Sequence, residues 1–316
     1  WSDHCTSNHG NQCTPQAKQT PHRLIEVGGN GSPPRLVLGK QLSGQNQQYT
    51  TLSHCWGTNV SIRTLLSNLQ SFSDQIPPQI IPRTFDDAIL ITQALGVRFI
   101  WIDALCIVQD DAKEWEQEAA KIKDIYSGSI LNIAASDSPG SESGCFPVKS
   151  SFVQTFHLAQ HTVLSSRGWV LQEQLLPHRI ISCMSDEMHW ECSEAYRTET
   201  GVHFGSHVSD TRGVPRMYQS PATLEQDGMW RSWMVNFSER KFSYWKDRLP
   251  ALSGIVGKYE EITGDVSILG LWKRSIIQDL LWIRTGQISL ESAPEIGSAS
   301  LPSWSWLSCP SHIEFD

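Results

Sequence analysis

The stretch FIWIDALCIVQDD, residues 99–111, puts Asp103, Cys106, Asp110 and Asp111 directly behind a run of large apolar side chains. Carboxylates delivered by a buried strand can act as general acids or bases, or steady a developing positive charge. Glu118 follows shortly after. At about 100° per residue, Asp111, Trp115, Glu118 and Ile122 share one helical stripe, with Glu114 and Gln117 turned away. A carboxylate held against an indole away from water has its charged form disfavoured, so the pKa of Glu118 is expected to rise. The plainer reading pairs Glu118 with Lys121 in water. Asp103 also reads as a cap of the next turn, and Asp110 and Asp111 as acids favoured by a helix N-terminus.

Other residue types offer other chemistry. Cys55 and Cys106 are candidate nucleophiles, but His54 and Cys55 alternate on a strand and point to opposite faces, so buried structural thiols are the favoured reading. Trp169 and Glu173 lie four apart on one helical face and, with Arg167, form a polar and aromatic constellation. Cys5, His9 and Cys13 have the spacing C-x3-H-x3-C, suited to a structural zinc. Such a site needs a fourth ligand, for which His4, His22 or a distant cysteine are open. No G-x-S-x-G elbow, phosphate-binding glycine loop or H-E-x-x-H motif is present.

These residues need elements to position them. RLIEV (23–27) reads as a strand and GGNGSPP as a hairpin-type loop. YTTLSHC (49–55) is a strand ending at Trp56-Gly57. A helix begins at Thr84, with Asp87 in capping-box spacing, buries Phe85, Ala88, Ile89, Thr92 and Leu95, and stops at Gly96. Phe99–Asp103 is a strand buried on both faces, and one helix is expected over 110–126, with Trp115, Ala119, Ile122, Ile125 and Tyr126 inward. SILNIAAS (129–136) is the next strand. Alternation at this spacing implies parallel pairing, hence an α/β fold: an open, mostly parallel flavodoxin-like sheet flanked by helices. Ligands bind at the carboxyl ends of such strands, so Asp103, Glu118 and His54 are the candidate catalytic groups. They are expected to share one cavity with Trp56, Gly57, Trp101, Trp115, Arg167, Trp169 and Glu173 as substrate contacts.

Further along, 167–176 reads as a helix, 179–184 and 188–192 as a hairpin, and 196–225 as irregular. Helices are expected near 248–261 and 270–283 and a strand at 303–308. The implied organisation is an N-terminal segment 1–48, a core domain 49–177 and a C-terminal α+β extension 178–316.

Composition bounds the function. The 316 residues are 39% hydrophobic and 18% charged, an ordinary globular balance. A net charge of −8 without a basic stripe argues against nucleic-acid binding. No apolar run approaches the roughly 20 residues of a membrane span. Thirteen tryptophans imply aromatic packing or a ring-lined pocket. Eight scattered cysteines fit a reducing cytoplasm better than a disulfide scaffold. Opening on Trp1 and stopping just after a strand-like segment, the sequence is expected to continue beyond its ends.

YTTLSHCWG (49–57), IPRTFDDAILITQALGVRFIWIDALCIVQDD (81–111), WEQEAAKIKDIYSGSILNIAAS (115–136) and RGWVLQEQLL (167–176) together resemble the fungal heterokaryon-incompatibility (HET) domain. Weaker resemblance extends over WEC (190–192), DRLPALSGI (247–255) and LPSWSW (301–306). The resemblance implies an intracellular role in non-self recognition and programmed cell death. It also implies a remote likeness to Toll/interleukin-receptor (TIR) domains, some of which cleave the nicotinamide–ribose bond of NAD with a helix-borne glutamate in a W-x-x-E-like setting. Trp115 and Glu118 match that setting, so the resemblance implies NAD as a substrate and an NAD glycohydrolase activity, an analogy at the level of the fold. Two rival readings stay open. In one, the fold serves as a cofactor-independent cyclase of secondary metabolism, with Trp56, Trp101, Trp115 and Trp169 as walls around an apolar polycyclic precursor and Asp103 or Glu118 giving one polarising hydrogen bond. In the other, the chain signals by self-association without catalysis.

Overall fold

The computed structural model describes residues 1–15, 19–29, 31–42, 47–57, 62–146, 162–205, 223–286 and 301–315. The chain forms two compact units, Trp1–Ser165 with Pro177–Val208, and Ser166–Leu176 with Ser209–Asp316.

The first unit is built on nine strands: β1 (Arg23–Glu26), β2 (Arg35–Leu38), β3 (Tyr49–Ser53), β4 (Phe99–Trp101), β5 (Leu131–Ala135), β6 (Arg179–Cys183), β7 (Met188–Cys192), β8 (Ala195–Thr198) and β9 (His203–Gly205). They form one sheet in the order β2-β1-β4-β3-β5-β6-β7-β8-β9. The central ladders β4–β3, β3–β5 and β5–β6 are parallel. Counted from β3, their order is second, first, third, fourth, the doubly wound arrangement expected from the alternation, with its reversal point between β3 and β5. Antiparallel strands extend both flanks.

The two-residue period of β3 explains how helices settle on its faces. Thr50 turns to α3 (Arg83–Ala94), where its hydroxyl lies 2.7 Å from that of Thr92. Tyr49 turns the other way and donates to the Ile125 carbonyl at 2.7 Å, on α6 (Ile122–Gly128). Thr51 and Ser53 donate to the buried Asn132 amide oxygen of β5 at 3.0 and 3.2 Å, so this polar group is satisfied.

Several expectations are corrected. The helix over 110–126 is two helices, α5 (Ala112–Ala119) and α6, because Lys121 closes a tighter turn onto the Glu118 carbonyl. The break lets α6 bury Ile125 to Gly128 all round, while in α5 only Glu118 is buried. Thr84 and Asp87 make no capping box: α3 starts one residue earlier behind Pro82, and Leu95 is exposed. Thr84 and Asp87 instead accept from the Gly144 and Cys145 N–H groups, tying down a later loop. Asp103 does not end β4 but opens a one-turn helix, α4 (Asp103–Cys106). Strands β8 and β9 occupy part of the region read as irregular, because their polar residues sit on outer ladders.

The second unit contains α7 (Val170–Leu175), the core of the expected 167–176 helix, and two long helices, Thr223–Glu239 and Arg248–Thr263. The first of these long helices was not anticipated. The 270–283 segment is a short ribbon strand at Leu271–Trp272, one turn at Ile276–Asp279 and a strand at Trp282–Arg284. The expected strand at 303–308 is a tight helical turn, Trp306–Ser308, because Trp306 is drawn into the core. That core is aromatic: Trp230 meets Tyr259 and Trp272 at 5.1 and 4.9 Å between centroids. Among the described residues, no helix is long and apolar enough to cross a membrane.

Candidate functional site

At the carboxyl ends of β3 and β4 the Asp103 carboxylate accepts from the Trp56 indole N–H at 2.9 Å and from the Ala104 backbone N–H at 2.7 Å. His54 Nδ1 stands 3.7 Å away. The His54 ring meets Phe85 edge-on at 4.8 Å. Gly57, at φ +77°, is pressed against the later loop, where an added Cβ would come within 3.0 Å of the Gly140 Cα. Backbone thus packs against backbone beside the reversal point of the sheet. Trp101 is wholly buried and packs on Tyr126 at 5.7 Å, which makes it core. The buried Cys106 thiol is pushed up to about 12, first by burial and later by Asp103 and Glu118. A thiol so disfavoured as thiolate is a poor nucleophile.

The acids of α5 divide the work. Asp111 caps the helix, accepting from the Lys113 and Glu114 N–H groups at 3.0 and 3.1 Å. Asp110 accepts from the Leu66 N–H at 2.8 Å. Glu114, expected to point outward, instead forms a two-pronged pair with buried Arg23 and accepts from the Val108 N–H at 2.9 Å. Burial opposes its charge, but Arg23 and that N–H hold its carboxyl below the usual range. Glu118 is 1% exposed. Its Oε1 meets Lys121 Nζ at 2.7 Å and lies 3.9 Å from His22 Nδ1. Its Oε2 is buried with no hydrogen-bond partner among the described residues. Burial, then Arg23, keeps the His22 imidazole below its ordinary pKa.

His22 and Lys121 form part of the wall of a pocket of about 420 Å³, together with Gln19, Thr20, Lys40 and Asp124. The side chains touching Asp103 (Trp56 and His54) and those touching Glu118 (Lys121 and His22) do not overlap. None of Trp56, Trp101, Trp115 or Trp169 lines this pocket.

A second constellation gathers around the N-terminal segment. Cys5 lies on α1 (Ser2–Asn8), His9 follows that helix, and Cys13 ends the next tight turn. The fourth member is Cys192 at the end of β7, the distant cysteine that spacing left open. The four ligand atoms lie within 4.8 Å of one another. His9 Nδ1 is 3.4 Å from the Cys192 sulfur and 3.7 Å from that of Cys13. A tetrahedral zinc with bonds of about 2.3 Å to sulfur and 2.0–2.1 Å to nitrogen needs edges near these lengths. Hydrogen bonds with Cys13 and Cys192, and then with Arg179, pull the Cys5 thiol down against burial, while Cys192, Cys5 and burial push Cys13 up. Without a cation the cluster cannot hold three thiolates together. The donor set therefore fits a soft or borderline divalent metal. Arg179 Nε donates to the Cys5 sulfur at 3.2 Å, and His178 Nδ1 lies 3.3 Å from the Gln12 carbonyl.

Arg167, Trp169 and Glu173 belong to the second unit. There the Trp169 indole N–H donates to Asp247 at 3.4 Å, and the Arg167 carbonyl accepts from Arg240 at 3.2 Å. Sequence reading passed over two buried arginines in this unit. Burial pulls Arg240 down to about 9 and Arg248 to about 10. Arg248 stacks 4.5 Å over Trp245, a contact between cation and ring.

Fold and site define a doubly wound α/β domain carrying a pocket beside a buried glutamate and a Cys/His cluster able to hold a metal. Residues 49–162 match the family model for heterokaryon incompatibility protein (HET), which supports a function of the heterokaryon-incompatibility type. Comparisons with curated proteins and with solved structures returned no match.

Proposed function

We propose that this HET-domain chain cleaves NAD in the cytoplasm, with Glu118 as the essential carboxylate. One observation carries the reading: a carboxylate 1% exposed, one oxygen without a partner among the described residues, whose contacts Lys121 and His22 line an open pocket. Hydrolysis breaks the bond between ribose C1′ and the nicotinamide nitrogen, and its electron pair leaves with neutral nicotinamide. Water oxygen bonds to C1′ and one proton passes to solvent. The transition state resembles an oxocarbenium ion, which a carboxylate shielded from water stabilises through space. The W-x-x-E setting supports the same assignment by resemblance. The cyclase reading draws no comparable support, since its four tryptophan walls do not line the pocket and Trp101 is core. Purified protein incubated with NAD should release nicotinamide, and Glu118→Gln should not.

We also propose that Cys5, His9, Cys13 and Cys192 hold a structural zinc. Four protein ligands leave no open position, so the metal would join the N-terminal segment to β7 and take no part in catalysis. Elemental analysis of the purified chain tests this: about one zinc per chain is expected, and none would overturn it.

A further inference from the structure

We propose that the second unit binds a small apolar monocarboxylate on the buried edge of the Arg248 guanidinium. Arg248 is 3% exposed, yet its Nε and Nη2 are buried with no hydrogen-bond partner among the described residues. Those two nitrogens share one edge of the planar guanidinium, where parallel N–H groups match the two oxygens of a carboxylate. Arg240, buried in the same unit, shows the contrast. Its nitrogens donate to the Asn236 side-chain oxygen, the Arg167 carbonyl and the Gln174 side-chain oxygen at 2.8, 3.2 and 2.7 Å. Arg248 has no such acceptors among the described residues. The adjacent Asp247 carboxylate accepts instead from the Trp169 indole N–H at 3.4 Å.

The helix it opens adds to the demand for an anion. Arg248 is the first residue of the 16-residue Arg248–Thr263 helix, which has no side-chain cap and no acid in its first turn. A cation is disfavoured at the positive end of a helix dipole, and a buried charge without an anion is costly. A bound carboxylate relieves both. The surroundings set the rest of the ligand. The guanidinium lies 4.5 Å from the Trp245 ring centroid, 5.7 Å from that of Phe237 and 5.8 Å from that of Phe242. These rings attract the cation but offer no lone pair in its plane, so the edge donors stay unmet. Apolar walls favour one charge on an apolar body over a strongly hydrated anion such as phosphate.

Titration calorimetry on the full chain with benzoate, neutral benzamide and inorganic phosphate tests the assignment. Benzoate is expected to bind at one site, and benzamide and phosphate roughly tenfold more weakly or worse, as for loss of a charge-assisted hydrogen bond. Arg248→Lys keeps the charge but loses the fork, and should weaken benzoate binding roughly tenfold. Its melting temperature verifies that it folds. A second measurement needs no variant: crystals of the wild type soaked in 4-bromobenzoate should show anomalous scattering from bromine beside Arg248. No benzoate binding, benzamide or phosphate bound as tightly as benzoate, equal binding by folded Arg248→Lys, or bromine only elsewhere overturns the proposal.

Discussion

Cys192 brings its sulfur to 3.4 Å from His9 Nδ1 across 183 residues of sequence. A strand end on an outer ladder and a loop near the N-terminus therefore share one cluster. Loss of Cys192 should release the metal and loosen the N-terminal segment. Cys192→Ser is expected to carry no zinc and to lose about 3 kcal/mol or more of stability. Cys183→Ser, another buried thiol outside the cluster, should keep its zinc. Metal content and melting temperature read both outcomes.

Glu114 and Arg23 give a pH signature. The folded-state pKa of Glu114 lies below its unfolded value, so its contribution is present above the unfolded pKa and fades as pH falls through the folded one. Glu114→Gln should cost about 2 kcal/mol at pH 7, leaving Arg23 buried without its anion. The gap between wild type and variant should close in acid, below about pH 4. Urea melts across that range check the sign.

Gly57 and Gly96 both have positive φ, at +77° and +70°, yet only Gly57 meets neighbouring backbone. Gly96→Ala should cost about 1 kcal/mol from backbone strain alone. Gly57→Ala should cost about 2–3 kcal/mol, since strain and a collision with Gly140 add. Equal losses would mean that the loop yields freely.

Asp103 is held by Trp56 and Ala104, whereas Glu118 meets Lys121 and His22. Asp103→Asn keeps an acceptor for the indole and should change stability by under about 1 kcal/mol. NAD turnover within about twofold of wild type is expected. A loss as deep as that of Glu118→Gln would return Asp103 to the reaction.

Much of the sheet could be read from the sequence, because β3, β4, β5 and the β6–β7 hairpin are short apolar runs bounded by turn residues. The α3 stripe emerged from periodicity, and Gly96 marked its end. What escaped was set by tertiary demand. Thr84 and Asp87 have capping-box spacing but bind a loop about 60 positions away. The turn at Ala120–Lys121 contains neither glycine nor proline, so nothing local announces the break between α5 and α6. Glu114 looked solvent-facing until Arg23, on a strand 91 residues earlier, met it. Three of the four cluster residues were visible from spacing, whereas Cys192 was hidden by distance. Glu118 was legible as the inward acid, and its burial agrees with that stripe. The pocket beside it was not, because Lys40 and His22 come from separate segments with no common motif.

The most direct measurement is nicotinamide release from NAD by concentrated purified protein, wild type beside Glu118→Gln of equal melting temperature. Turnover in the wild type and its loss by at least about a hundredfold in the variant is the predicted result. Intact NAD with folded, metal-loaded wild type, or equal turnover by both proteins, would contradict the account.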